Sequence, residues 1–94
     1  MKRIVILGAG ESGIGAALLA QKEGWDVFVS DSGMIKAAYK KELASAKIDF
    51  EEGKHSDDRI LNAALIVKSP GIPEKNEWVK QLRKKNIPIC MAWR

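Results

Sequence analysis

The chain has 94 residues, 46% of them apolar and 30% charged, with 16 Lys and Arg set against 12 Asp and Glu for a formal net charge of +4. That length suits one domain with a thinly provided core, since a chain of this size buries roughly 60–70% of the surface it exposes when unfolded. No apolar run approaches the roughly 18 residues of a membrane span, no signal-peptide core follows Met1-Lys2-Arg3, and the single cysteine, Cys90, excludes an internal disulfide, so a cytoplasmic chain without a membrane partner is expected.

Arg3 to Leu7 is a short apolar run without alternation, the pattern of a strand buried on both faces. Ser12 to Glu23 reads as a helix with Ile14, Ala17, Leu18 and Gln21 on one face, and Gly24 stands where a glycine ends such a helix. Asp26 to Ser30 is a second buried strand. Ile35, Ala38, Tyr39, Glu42, Leu43 and Ala46 then mark an amphipathic helix of roughly ten to thirteen residues. Lys47 to Glu51 alternates apolar and polar, which predicts a sheet edge with one dry face.

Ser56 can cap a short helix, with Asp57 and Asp58 favoured in its first turn by the macrodipole. Ala64 to Val67 is a fourth apolar strand. Ser69-Pro70-Gly71-Ile72-Pro73 is a stiff turn, and Glu74 to Lys85 a helix with Trp78, Val79 and Leu82 inward. Ile87 to Met91 closes the series, and Pro88, which cannot donate to a ladder, places that strand at an edge. Alternating strands and helices predict an α/β fold: a Rossmann-like three-layer sandwich whose parallel sheet runs in the order 3-2-1-4-5.

Residues 8–15 read GAGESGIG, directly after the first strand. Gly8 suits a tight turn, Gly10 lets a ligand reach the main chain, and Gly13 lets the helix settle against the sheet. A helix N-terminus then offers free N–H groups and a partial positive charge to a phosphate or diphosphate. Glu11 is expected to turn its side chain away and its amide toward the ligand. Asp31 ends the second strand about twenty residues on, where an acid that reads a ribose or base belongs. It can equally cap the Ser32-Gly33 turn. Across the central gap, KSPGIP (Lys68 to Pro73) makes a second stiff loop, readable as an anion contact or as an ordinary proline-glycine turn.

VILGAGESGIGAALLAQKEGWDVFVSD, FEEGKH, ALIVKSPGIP and LRKKNIPI, taken together, resemble the N-terminal domain of the Mur ligases that add D-glutamate during peptidoglycan synthesis. The resemblance runs from Lys2 to Ile89, almost the whole chain, and the SPGIP loop in register with the glycine turn is its most specific part. It implies a domain that holds the UDP part of UDP-N-acetylmuramoyl-L-alanine. By position, Gly10, Glu11, Ser12 and Gly13 would serve the diphosphate at the first helix. Asp31 would accept from the uracil with Ser32 beside it, and Ser69, Pro70 and Gly71 would form the second phosphate contact. Gly33 departs from the pattern, standing where relatives can carry a longer side chain over the uracil.

The resemblance further implies ATP, Mg²⁺ and D-glutamate as needs of the full-length ligase, met by other domains. No G-x-x-x-x-G-K-[ST] loop occurs in this sequence, so the chain reads as an isolated monomeric domain, 1–94, that binds and does not catalyse. Two other readings stay open on the residues alone. One is an NAD(P)-binding domain of a dehydrogenase or a nucleotide-sensing regulator, and the other an interaction module whose glycine turn is structural.

The remaining chemistry-bearing residues read plainly. Lys36/Lys40/Lys41 and Lys75/Lys80/Arg83/Lys84/Lys85 fall on helical segments and read as solvated faces; with no aromatic interleaving, no nucleic-acid partner is expected. His55 has no second ligand at metal spacing and is expected to be a loop residue near a helix start, from which it could approach the ligand rim. Cys90 is expected to be a small core residue, Trp25 and Trp78 core or edge packing, and Trp93 exposed. Glu51-Glu52 is expected to end the edge strand.

Overall fold

The computed structural model describes residues 2–69, 72 and 75–91. Nine elements follow in chain order: β1 (Arg3–Leu7), α1 (Glu11–Lys22), β2 (Asp26–Asp31), α2 (Ala37–Ser45), β3 (Asp49–Glu52), α3 (Asp57–Ile60), β4 (Leu65–Lys68), α4 (Glu77–Lys84) and β5 (Ile89–Met91). The strands form one sheet in the order β3-β2-β1-β4-β5, and every pairing is parallel. Fold class and strand order are as the sequence predicts. Because β1 lies between β2 and β4, the turn that leaves it faces the ends of both neighbours.

Strand side chains alternate between the two faces, and each face has its own core. Ile4, Ile6, Val27, Val29 and Val67 pack with Ile14, Ala17 and Ala20 of α1 and Leu43 of α2. Val5, Leu7, Phe28 and Ile66 pack with Ile60 of α3 and Leu82 of α4. Gly24 ends α1 with φ +92°, its amide donating to the Gln21 carbonyl at 3.1 Å, as its place in the sequence suggests. The Gln21 side chain in turn donates to the Ala46 carbonyl and ties α1 to the end of α2.

Several boundaries move, each for a local reason. The second helix is only nine residues long, and Ala38 is exposed, leaving Ile35, Tyr39, Leu43 and Ala46 to face inward. α4 starts at Glu77 because Asn76 caps it, its side-chain oxygen accepting from the Trp78 amide at 2.8 Å. β5 starts only at Ile89, although the Pro88 carbonyl still accepts from the Ile66 amide at 2.9 Å. Ser56 stands at the start of α3 but its hydroxyl does not cap the helix; it donates to Glu51 instead.

Cys90 is exposed and is not a core residue. It pairs with Val67 on the face that α1 covers over β1 and β2, and among the described residues no helix extends that cover over β5. The uncovered strip is an apolar groove of about 550 Å³ bordered by Ala16, Leu19, Leu65, Val67 and Met91 as well as Cys90. Trp25 and Trp78 are half-buried against the two cores, as expected, and Trp93 lies outside the described residues.

Candidate functional site

The carboxyl ends of β1, β2 and β4 meet in one place, and the first glycine turn is wedged between the other two. Gly8 has φ +96°, a conformation that a side chain strains against. Its amide donates to the Ser30 carbonyl at 2.9 Å. A Cβ added to Gly8 would stand 2.7 Å from the Ser69 Cβ, so the β4 loop approaches β1 more closely than any larger residue permits. Ser69 is held there by its amide, which donates to the Leu7 carbonyl at 2.9 Å.

Gly13 answers to a different constraint. A Cβ there would collide with the Gly8 carbonyl oxygen and lie 3.3 Å from Ile6 Cγ2. Only glycine lets α1 lie this close to β1. Gly10 answers to neither: its φ of −81° and ψ of −170° are ordinary extended backbone, and a Cβ built on it meets nothing within 4 Å. It is the N-cap of α1, no side chain caps that end, and the first helical bond runs from the Ile14 amide to the Gly10 carbonyl at 2.9 Å. Glu11, Ser12 and Gly13 therefore lie ahead of the first intrahelical bond, at the positive end of the helix. Glu11 is exposed and Ser12 half-buried.

Asp31 joins this turn to the end of β2. One carboxylate oxygen accepts from the Ala9 amide at 2.8 Å and the other from the Gly33 amide at 2.9 Å. It thus closes the Ser32-Gly33 turn, one of the two roles its position allowed, and braces the glycine loop as well. Both oxygens keep a lone pair beyond these bonds. A Cβ on Gly33 would sit 3.6 Å from Asp31 Oδ1, so the bare glycine leaves the carboxylate uncovered on that side. Ser32 is exposed next to it. Gly10, Glu11, Ser12, Gly13, Asp31, Ser32 and Ser69 are thus gathered at one end of the sheet, while Pro70 and Gly71 lie outside the described residues.

Beneath the end of β2 lies a polar cluster that the sequence did not announce. Glu51 and Glu52 end the edge strand β3 as expected, but Glu51 is only 9% exposed, and Ser30 is fully buried. Glu51 accepts from the Ser30 hydroxyl at 2.7 Å, the Ser56 amide at 2.8 Å and the Ser56 hydroxyl. Burial pushes its carboxyl up, but these bonds and the Lys54 charge outweigh it and hold the group below the usual carboxylate range. His55 Nδ1 stands 2.6 Å from the same Ser30 oxygen. Because Ser30 has one proton and the carboxylate takes it, the His55 nitrogen donates, which leaves Nε2 as the ring acceptor. The His55 ring meets Trp78 edge-on, with centroids 5.7 Å apart. Burial lowers its pKa, opposed by Glu51 and Asp31, so the imidazole is neutral at pH 7.

The neighbouring Glu52 accepts from the Ile35 amide and Lys40 Nζ, both at 2.9 Å, and fixes the segment leading into α2. Those bonds hold its carboxyl below the usual range, the Ile35 amide foremost. Lys40 therefore braces a loop, whereas the other lysines of both basic stretches are exposed. Among the described residues, no three His, Cys, Asp or Glu side chains are grouped as a metal ion would require. No helix among them is long and apolar enough to cross a membrane.

Comparison with known proteins adds to this geometry. Residues 2–91 match the family described as Mur ligase MurD-like, N-terminal domain. The chain is 58% identical over 88 residues to UDP-N-acetylmuramoylalanine–D-glutamate ligase of Cytophaga hutchinsonii, covering 94% of this chain and 20% of that one. It is 53% identical over 89 residues to the enzyme of the same description from Bacteroides fragilis, with 95% and 20% covered. The chain spans about a fifth of the length of these curated relatives. Among solved structures, a pseudomurein peptide ligase type C from Methanothermus fervidus superposes with a TM-score of 0.82 at 25% identity, over 96% of this chain and 19% of that one. The UDP-N-acetylmuramate–alanine ligase of Thermotoga maritima gives 0.80 at 22% identity, over 98% and 21%, a likeness of fold.

Proposed function

The chain belongs to the Mur ligase MurD-like N-terminal domain family, and from that premise we propose that it anchors the UDP part of UDP-N-acetylmuramoyl-L-alanine for a cytoplasmic ligase that adds D-glutamate in peptidoglycan synthesis. In this reading residues 1–94 form a single monomeric binding domain that is inactive alone. ATP and D-glutamate are then substrates, and Mg²⁺ a metal, held elsewhere in the longer enzyme. The sequence has no phosphate loop of the G-x-x-x-x-G-K-[ST] kind.

Gly10 carries the proposal. Gly8 and Gly13 are explained by the fold itself, one by its positive φ and the Ser69 contact, the other by the Gly8 carbonyl. Gly10 is exposed at the N-cap of α1 with open space over its α-carbon, so no steric contact within the fold requires a glycine there, and beyond the modest N-cap preference for it the fold leaves that bare backbone unused. A diphosphate resting on the backbone does. Asp31, fixed by Ala9 and Gly33, would turn its remaining lone pairs to the uracil. Ser69, against Gly8, would bring the second loop to the phosphates.

The test is a titration of the chain with UDP and with NADH, followed by amide chemical shifts. UDP should move the amides of residues 10–13 and 31–33, and Gly10→Val should abolish that binding in a chain that still folds, its melting temperature lowered only by the roughly 1 kcal/mol that Val loses at an N-cap. Val suits the extended backbone found at this position, so an unfolded variant is not expected. Binding of NADH without UDP would refute the proposal, and so would UDP binding that ignores Gly10→Val.

A further inference from the structure

We propose that Lys68 is a positioning residue for the diphosphate site, an inference that rests on the anchoring role argued above. Lys68 ends β4, its Cα paired with Leu7 of β1 and Met91 of β5. It is only 3% exposed, so its ammonium has left water and must spend its donors inside the protein. One goes to the Ile72 carbonyl at 2.8 Å, and Met91 Sδ lies 3.6 Å away.

The bond to Ile72 spans the loop that faces the glycine turn. The loop starts where the Ser69 amide donates to the Leu7 carbonyl at 2.9 Å, and it returns where the Ile72 amide donates to the Ser69 carbonyl at 3.0 Å. The Lys68 bond then ties the Ile72 carbonyl back to the end of β4, so the turn that begins at Ser69 is closed by a charged donor as well as by its backbone bond. The Ile72 side chain packs in the core on the α3 and α4 side, and its Cδ1 would lie 3.6 Å from a Cβ on Gly8. One lysine therefore holds the Ser69 and Ile72 ends of the loop together where both lie against Gly8, the glycine turn proposed to meet the phosphates. A purely apolar residue in its place would fill the volume and leave the Ile72 carbonyl without its charged donor.

The experiment compares wild type, Lys68→Met and Lys68→Arg as the whole 94-residue chain, titrated with UDP, inorganic pyrophosphate and uridine. Losing one charge-assisted bond behind the loop should weaken UDP and pyrophosphate by roughly tenfold in Lys68→Met. Uridine affinity should hold, and Lys68→Arg, which keeps a charged donor, should recover the ratio of UDP to uridine affinity. A merely structural lysine would instead lower all three affinities in proportion. That outcome, or a Lys68→Met variant that binds pyrophosphate as wild type does, overturns the inference. Should Lys68→Met fail to fold, the Lys68 ammonium resonance of wild type serves: pyrophosphate should shift it and uridine should not, and the reverse overturns the inference. Wild type that binds neither UDP nor pyrophosphate would instead refute the anchoring role, and this inference with it.

Discussion

Gly13→Ala and Gly15→Ala add the same methyl group two positions apart on α1, and the structure gives them opposite signs. At Gly13 the new Cβ would collide with the Gly8 carbonyl oxygen, with Gly8 C 3.1 Å away and Ile6 Cγ2 3.3 Å away. Gly8 cannot withdraw: its amide is tied to the Ser30 carbonyl, and Ser69 occupies its other side. The helix must lift instead, and with it Ile14, Ala17 and Ala20 from the core over Ile4 and Ile6. Forced overpacking of this kind costs roughly 1–3 kcal/mol, here at the upper end because the obstacle is backbone.

Replacing glycine by alanine within a helix returns about 1 kcal/mol, which leaves Gly13→Ala destabilised by about 2 kcal/mol. In a domain of this size that is a fall of roughly 8–16 °C in melting temperature. Gly15 is exposed and a Cβ there meets nothing within 4 Å, so Gly15→Ala keeps the helix gain of about 0.5–1 kcal/mol and melts higher. Thermal melts followed by circular dichroism, with urea midpoints as a second measure, read both variants. A Gly13→Ala chain that melts at or above wild type would refute the close packing of α1 on the Gly8 carbonyl.

Asp31→Ala strips the acceptor from the buried Ala9 amide as well as from Gly33, so it should destabilise by about 1–3 kcal/mol in urea. Under the anchoring role it should weaken pyrophosphate as well as UDP, because the glycine turn loses its brace; unchanged pyrophosphate binding would confine Asp31 to the base. Acid should destabilise the chain in two stages. His55 has its folded pKa below the ordinary 6.5, so the unfolded chain takes up that proton more readily and stability is lost as the pH falls through that region. Glu51, also lowered, adds a loss at pH values below the ordinary carboxylate 4.5; urea midpoints that stay flat on acidification would contradict both. Leu43→Ala, emptying a fully buried position between α2 and the sheet, should cost about 2–5 kcal/mol by the same assay, whereas Leu19→Ala, at a position 60% exposed, should change little. Cys90 should react with a thiol reagent in the native chain at close to its rate in urea, and protection until unfolding would contradict its exposure.

What could be read beforehand and what could not divide along one physical line. Uniform apolar runs such as Val5-Ile6-Leu7 and Ile66-Val67 announce strands buried on both faces, and Pro88 announces an edge, because these depend on local composition. The glycine turn and Asp31 were legible for the same reason: the turn geometry and the helix start need those residue types in that order. Cys90, Glu51 and Lys68 were not, because each depends on which elements cover a strand end. Cys90 looks like core beside Ile89, yet its face of β5 carries no helix among the described residues. Glu51 alternates as an outward polar residue should, yet its side of β3 meets the turn into α3, where Ser56 brings two donors.

The polar residues missed in this way share a position. Ser30, Glu51, Lys54, His55 and Ser56 gather under the end of β2, and Lys68 lies under the end of β4; they flank β1, whose glycine turn emerges between them. Burying so many polar groups is unfavourable unless every bond is made, and among the described residues no buried side-chain nitrogen or oxygen lacks a partner. A sheet end held only by apolar contacts could not fix backbone groups to within a hydrogen-bond length, since dispersion has no direction. Here the carbonyl that receives the Gly8 amide belongs to Ser30, whose side chain is held by Glu51 and His55. The loop that touches Gly8 from the other side is held by Lys68. The glycine turn is therefore clamped by directional bonds from both flanks, and under the anchoring role proposed above that clamp would spare a diphosphate the cost of ordering the turn.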